Sequence, residues 1–125
     1  MYGNEAEVGE ALKKCNIPRK DIFVTSKILS PGSEANETYQ KCLDSIKKIS
    51  GDDGYIDLML IHNSSAGAEG IRKMWQAMEQ LHQEGRLKTI GVSNFGVAHI
   101  QQMKSYAKSW PPAVNQIEVS GWHVL

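Results

Sequence analysis

Tyr55-Ile56-Asp57-Leu58-Met59-Leu60-Ile61-His62 decides the fold. Its apolar residues, Ile56, Leu58, Met59, Leu60 and Ile61, leave no solvated side, and the run is too short for an ordinary helix. It reads as a strand buried on both faces, as in a parallel sheet covered by helices, and it ends in a histidine.

The same layout recurs on either side. Residues 22–26 form an apolar, β-branched run that delivers Lys27; residues 87–92 deliver Ser93 and Asn94; Ala113 and Val114 deliver Asn115 and Gln116. Between these runs, three sets fall at helix-face spacing: Tyr39, Cys42, Leu43, Ile46 and Ile49; Ile71, Met74, Trp75, Met78 and Leu81; Ile100, Met103 and Ala107. Strand starts recur at steps of roughly 25 to 35 residues, the size of a strand, a crossover helix and two loops. The pattern predicts an α/β fold, part of a (β/α)8 TIM barrel, with about four parallel strands and flanking helices. In such a barrel the C-terminal strand ends open onto one face, so the polar groups that end these runs would converge there.

Residues 1–125 are read as a single domain, and 41% hydrophobic content is enough for a real core. Fourteen basic residues balance fourteen acidic ones. No overall field draws the chain to nucleic acid or to an anionic membrane, and a small-molecule partner fits better. No apolar run approaches the roughly 20 residues that a bilayer requires, and Met1-Tyr2-Gly3-Asn4 lacks a signal peptide's basic-then-apolar start, so a cytoplasmic protein is expected. Cys15 and Cys42 both fall on helix stripes and read as packing residues. There is no glycine-rich Rossmann fingerprint and no P-loop, so a redox cofactor would have to be held another way. His62, His82, His99 and His123 show no ligand spacing, and no metal site is expected.

Local signals place the connections. A first helix over residues 5–15 starts at Asn4 as N-cap with Glu7 completing a capping box, and Val8, Ala11, Leu12 and Cys15 form its stripe. Residues 16–21, 29–33 and 51–54 read as turns, and 63–70 as a small, polar surface loop on the His62 face. Gly85 stands where a C-cap glycine belongs, and Trp110-Pro111-Pro112 ends the third long helix.

The residues that could do chemistry are Tyr2, Lys27 and His62. A lysine near the end of a buried strand needs acceptors or a neighbour such as a phenol, and a nearby ammonium favours the phenolate and makes the phenol a better proton donor. A neutral imidazole beside them can polarise a carbonyl oxygen. Each has a structural alternative: Tyr2 a frayed terminal residue, Lys27 snorkelling to solvent, His62 a core histidine satisfied by backbone. Ser93, Asn94 and Gln116 could likewise be turn and strand-end residues. The shared position of these groups on one predicted face speaks for a site.

These residues resemble the aldo-keto reductases. Tyr2-Gly3-Asn4-Glu5 is similar to that family's catalytic-tyrosine segment, Asp21-Ile22-Phe23-Val24-Thr25-Ser26-Lys27 to its catalytic-lysine strand, and Asp57-Leu58-Met59-Leu60-Ile61-His62 to its catalytic-histidine strand. Gly91-Val92-Ser93-Asn94-Phe95 and Asn115-Gln116-Ile117-Glu118 resemble the two segments that hold the nicotinamide carboxamide. The resemblance implies an NAD(P)H-dependent oxidoreductase that reduces aldehydes or ketones to alcohols, with NADPH as cofactor and NADH as the alternative. It implies Tyr2 as general acid, Lys27 tuning it, His62 orienting the substrate carbonyl, and Ser93, Asn94 and Gln116 on the nicotinamide amide. It also implies an aspartate a few residues before the tyrosine and further strands at both ends, none of which falls within residues 1–125. The 125-residue chain by itself is therefore expected to be inactive and to self-associate through open sheet edges. After His62 the family commonly has Trp-Pro, whereas this chain has Asn63-Ser64-Ser65, which implies a differently lined substrate pocket. The alternative is a non-catalytic nucleotide- or protein-binding member of the same fold.

Overall fold

The computed structural model describes residues 3–119. Four strands, β1 (Thr25–Ile28), β2 (Ile56–Ile61), β3 (Leu87–Ser93) and β4 (Asn115–Gln116), form one sheet in sequential order, and every neighbouring pair is parallel. Helix α1 (Glu5–Lys14) and a 3-10 turn (Arg19–Asp21) precede β1. Helices α2 (Ala35–Ser50), α3 (Gly67–Gln83) and α4 (Val97–Met103) make the three crossovers. One helix per crossover, with each strand laid beside the last, is the winding of a (β/α)8 barrel, and these four strands form a curled half of one.

The register explains why β2 carries apolar residues on both sides. Ile28, Ile61 and Val92 lie level across the sheet, as do Met59 and Ile90, and all five pack into the core. That core is completed by Cys42, Ile46 and Ile49 of α2 and by Ile71, Met74, Trp75, Met78 and Leu81 of α3, the residues whose helical spacing predicted those faces. The opposite side of the sheet carries Lys27, Leu60 and Gly91 at one level. Leu58 and Leu60 are buried there without joining the helix-side core. Gly91 makes that packing feasible: a Cβ at this position would lie 2.6 Å from the Val114 carbonyl oxygen and 2.9 Å from Leu60 Cδ2.

Several boundaries differ from the sequence expectation. The first strand is Thr25–Ile28, so Lys27 lies within it, and Phe23 is left 68% exposed. Asp57 is the reason: its carboxylate accepts the Val24 N–H at 2.8 Å, a side-chain bond in place of a ladder bond. Asn4 is the N-cap of α1 but makes no capping bond with its side chain, and the expected box with Glu7 does not form. Its backbone, at φ −121° and ψ 17°, is outside the β-region geometry that aims a cap at the helix. The α1 stripe is also rotated. Gly9 is its buried residue, lying so close to the Lys48 carbonyl oxygen of α2 that a Cβ would be 2.2 Å away, while Val8 stays partly exposed. Helix α3 starts at Gly67, inside the stretch read as loop, and α4 ends at Met103, well short of Trp110. Past Met103 the chain is held by the Trp110 indole, which donates to the Ile100 carbonyl at 3.0 Å, and by buried Glu79. The Glu79 carboxylate accepts the N–H groups of Lys108 and Ser109 at 2.7 and 2.6 Å. Gly85 follows α3 at φ 79°, the left-handed geometry expected of it.

At the N-terminal ends of the strands Arg19 forms a brace. Its guanidinium pairs with Asp57 at 2.9 Å, donates to the Ile22 and Tyr55 carbonyls, and lies 4.2 Å from the centre of the Tyr55 ring. In a barrel this end serves stability, which leaves the opposite end for chemistry.

Candidate active site

At the C-terminal strand ends Lys27, His62, Ser93, Asn94, Gln116, Ile117 and Glu118 line one cavity of about 250 Å3. The parallel register produces this convergence. Lys27 of β1 is level with Leu60, and His62, two residues on from Leu60 and just past the end of β2, falls on the same side of the sheet. Ser93 closes β3 level with Gln116 of β4. The His62 N–H donates to the Ile28 carbonyl at 2.9 Å, which fixes the start of the loop after β2 against β1. Tyr2 lies outside the described residues.

Ser93, Asn94 and Gln116 are tied into one unit. Ser93 is buried, and its hydroxyl donates to the Gln116 carbonyl at 2.7 Å; the Asn94 N–H reaches the same oxygen at 3.0 Å. Asn94 has φ 56°, left-handed backbone that asparagine adopts more readily than most residues. Its Oδ1 accepts the Glu118 N–H at 3.1 Å and its Nδ2 donates to Ser93 Oγ at 3.3 Å. One Nδ2 hydrogen of Asn94 and the whole Gln116 side-chain amide remain unbonded among the described residues. A primary carboxamide has one carbonyl acceptor and two N–H donors, so these groups are chemically matched to it.

His62 and Lys27 supply the other character of the cavity. Nδ1 of His62 is buried and has no hydrogen-bond partner among the described residues, so the backbone-satisfied core histidine is not what the structure shows. Lys27 is half-buried, and its ammonium forms no ion pair or hydrogen bond among the described residues. An imidazole nitrogen and an ammonium without partners among the described residues, beside the remaining amide donors, can orient an uncharged oxygen and favour negative charge developing on it.

The sequence placed Asn115 at a strand end without a role of its own and did not single out Glu79. Asn115 bonds the backbone of Phe95 through both atoms of its amide. A buried glutamate inside the helical pattern of α3 was the available signal for Glu79, because buried carboxylates need donors. The loop after His62 turns through Asn63, whose Oδ1 accepts the Ser65 N–H at 3.0 Å.

A curled parallel half-barrel with polar groups gathered at the C-terminal strand ends defines an α/β protein of the (β/α)8 type. Residues 1–124 match the Aldo/keto reductase family, and the chain belongs to it. It is 36% identical over 118 residues to methylglyoxal reductase DkgA of Escherichia coli strain K12, covering 94% of this chain and 41% of that protein. Among solved structures it is similar to MGS-M4, an aldo-keto reductase from a deep-sea metagenome library, with a TM-score of 0.82 and 44% identity over 94% of this chain and 42% of that one. It is also similar to a Bombyx mori aldo-keto reductase in complex with NADP, with a TM-score of 0.75 and 31% identity over 93% of this chain and 40% of that one. The chain thus spans less than half the length of the relatives it matches.

Proposed function

We propose that this chain forms half of the mouth of an NADPH-dependent carbonyl reductase, acting on small aldehydes or ketones, with NADH as the alternative cofactor. The observation that carries the reading is the single cavity holding Lys27, His62, Ser93, Asn94 and Gln116. A relative bearing the name methylglyoxal reductase and a related structure in complex with NADP support the substrate class and the cofactor. The remaining Nδ2 hydrogen of Asn94 and the side-chain amide of Gln116, unbonded among the described residues, fit the nicotinamide carboxamide, with Ser93 holding the Gln116 backbone in place. The cofactor, when bound, supplies the hydride. The His62 imidazole orients the carbonyl oxygen, and Tyr2, tuned by the Lys27 ammonium, donates the proton that this oxygen takes up. Both cysteines are free thiols, which suits a cytoplasmic protein. No helix among the described residues is long and apolar enough to cross a membrane.

The isolated 125-residue domain is expected to turn over no general aldehyde. The outer edge of β1 has no partner strand among the described residues, and Phe23 and Leu29 flank it at 68% and 51% exposure, so self-association is expected. The chemistry is tested in a chimera that carries this chain in place of the matching segment of DkgA. NADPH-dependent reduction of methylglyoxal is expected, with Tyr2→Phe costing on the order of 10² to 10⁴ in kcat. Turnover unchanged by both Tyr2→Phe and His62→Ala would contradict the reading.

A further inference from the structure

Asn115 occupies the side of β4 that faces away from the cavity. It is level with the core residue Val92, whereas its neighbour Gln116 is level with Ser93 and lines the cavity. Its amide is nonetheless engaged at both atoms: Oδ1 accepts the Phe95 N–H at 3.3 Å, and Nδ2 donates to the Phe95 carbonyl at 2.9 Å. These two bonds carry the pairing of β3 and β4 one residue beyond its last backbone bond, from Asn94 N–H to the Gln116 carbonyl. The Phe95 ring is buried in the core, edge-on to His99 at 5.8 Å.

Asn94 is therefore held between two anchors: Ser93, bonded to Gln116, and Phe95, gripped by Asn115 and by the core. A left-handed residue is strained backbone that persists where its surroundings over-determine it. We propose that Asn115 is a positioning residue for the nicotinamide end of the cofactor: its amide clamps the Phe95 backbone and so fixes the left-handed turn that presents Asn94 to the cavity. The assignment rests on the cofactor reading above. Only asparagine fits the role, since aspartate lacks the donor for the Phe95 carbonyl and glutamine is one methylene too long.

The test compares the wild-type chain with Asn115→Ala and Asn115→Asp by amide hydrogen exchange and by side-chain amide NMR. In Asn115→Ala the N–H groups of Phe95 and Glu118 are expected to lose protection by about 10-fold or more, because the second is bonded to Asn94 Oδ1, while Leu60 and Ile61 of β2 stay protected. The Asn94 side-chain signal is expected to shift with NADP in the wild type and not in the variant. Shifts caused by 2′-phospho-ADP-ribose, the same molecule without nicotinamide, are expected to be equal in both. Should the alanine variant lose the β2 protection as well, Asn115→Asp is read instead: it keeps the acceptor for the Phe95 N–H but loses the donor to the Phe95 carbonyl. Glu118 is then expected to lose protection and the Asn94 signal its response to NADP, while Phe95 stays protected. Glu118 and Asn94 unchanged in that variant would overturn the proposal. Loss of protection at Phe95 with Glu118 and the Asn94 signal unchanged would overturn the proposal. A wild-type Asn94 signal that ignores NADP would instead overturn the cofactor reading, and with it the cofactor role of Asn115, even with the exchange result as expected.

Discussion

Ser93 Oγ and the Asn94 N–H converge on one acceptor, the Gln116 carbonyl oxygen, at 2.7 and 3.0 Å, so β3 is joined to the two-residue β4 by a side chain as well as by backbone. Ser93→Ala leaves that oxygen one donor and takes the acceptor from Asn94 Nδ2. The expected loss is about 1 kcal/mol in urea unfolding, the ordinary net value of such a bond. No loss at all would mean that the hydroxyl does not join the strands.

Gly91→Ala should act at the same junction by crowding. The new Cβ would meet the Val114 carbonyl oxygen, which is backbone and cannot swing aside, as well as Leu60. A destabilisation of roughly 1–3 kcal/mol is expected, with β4 displaced and the Asn94 N–H losing exchange protection. An alanine variant as stable as the wild type would show that β4 does not approach β3 as described.

Glu79→Ala should remove the acceptor for two backbone donors, Lys108 and Ser109, in the connection that leads to β4. A loss on the order of 2–3 kcal/mol is expected, and less for Glu79→Gln, which keeps an acceptor oxygen. Equal losses in the two variants would point to packing alone.

Burial pushes the Cys42 thiol from 9.0 up to about 12. The fold therefore favours the neutral thiol, and this contribution is complete below the unfolded value near 9 and is lost as pH rises towards 12. The alkaline decline in stability should be shallower in Cys42→Ala. At pH 8 a thiol reagent should label the part-exposed Cys15 at once and Cys42 only at the rate of unfolding. Rapid labelling of both would contradict the packing described for α2.

The strands and crossovers were legible because the residues that bury both faces of β2 and one face of α2 and α3 are mostly apolar, with Thr38 and Glu79 the buried polar residues of those two helices. Lys27, His62, Ser93, Asn94 and Gln116 could be placed on one face because each stands at or beside the C-terminal end of its strand. Alternation carries Lys27, His62, Ser93 and Gln116 to the same side, and Asn94 joins them through its left-handed turn. Edges were less legible. The start of β1 depends on Asp57 bonding the Val24 N–H, and the end of α4 on Glu79 and Trp110 holding the segment beyond it, long-range contacts that no local spacing announces. Likewise Asn115 reads locally as a strand residue, and its grip on Phe95 exists only once β3 and β4 lie side by side.

The central claim is that the cavity between Lys27, His62, Asn94 and Gln116 receives the nicotinamide end of the cofactor, and NMR titration of the wild-type chain with NADP tests it most directly. Saturable shifts are expected in the His62 ring signals and the side-chain amides of Asn94 and Gln116. The amides of Gln76, Gln80 and Gln83, which line a separate cavity with Tyr106, should stay fixed. Shifts confined to those α3 glutamines, or none at His62, Asn94 and Gln116 at saturating cofactor, would contradict it.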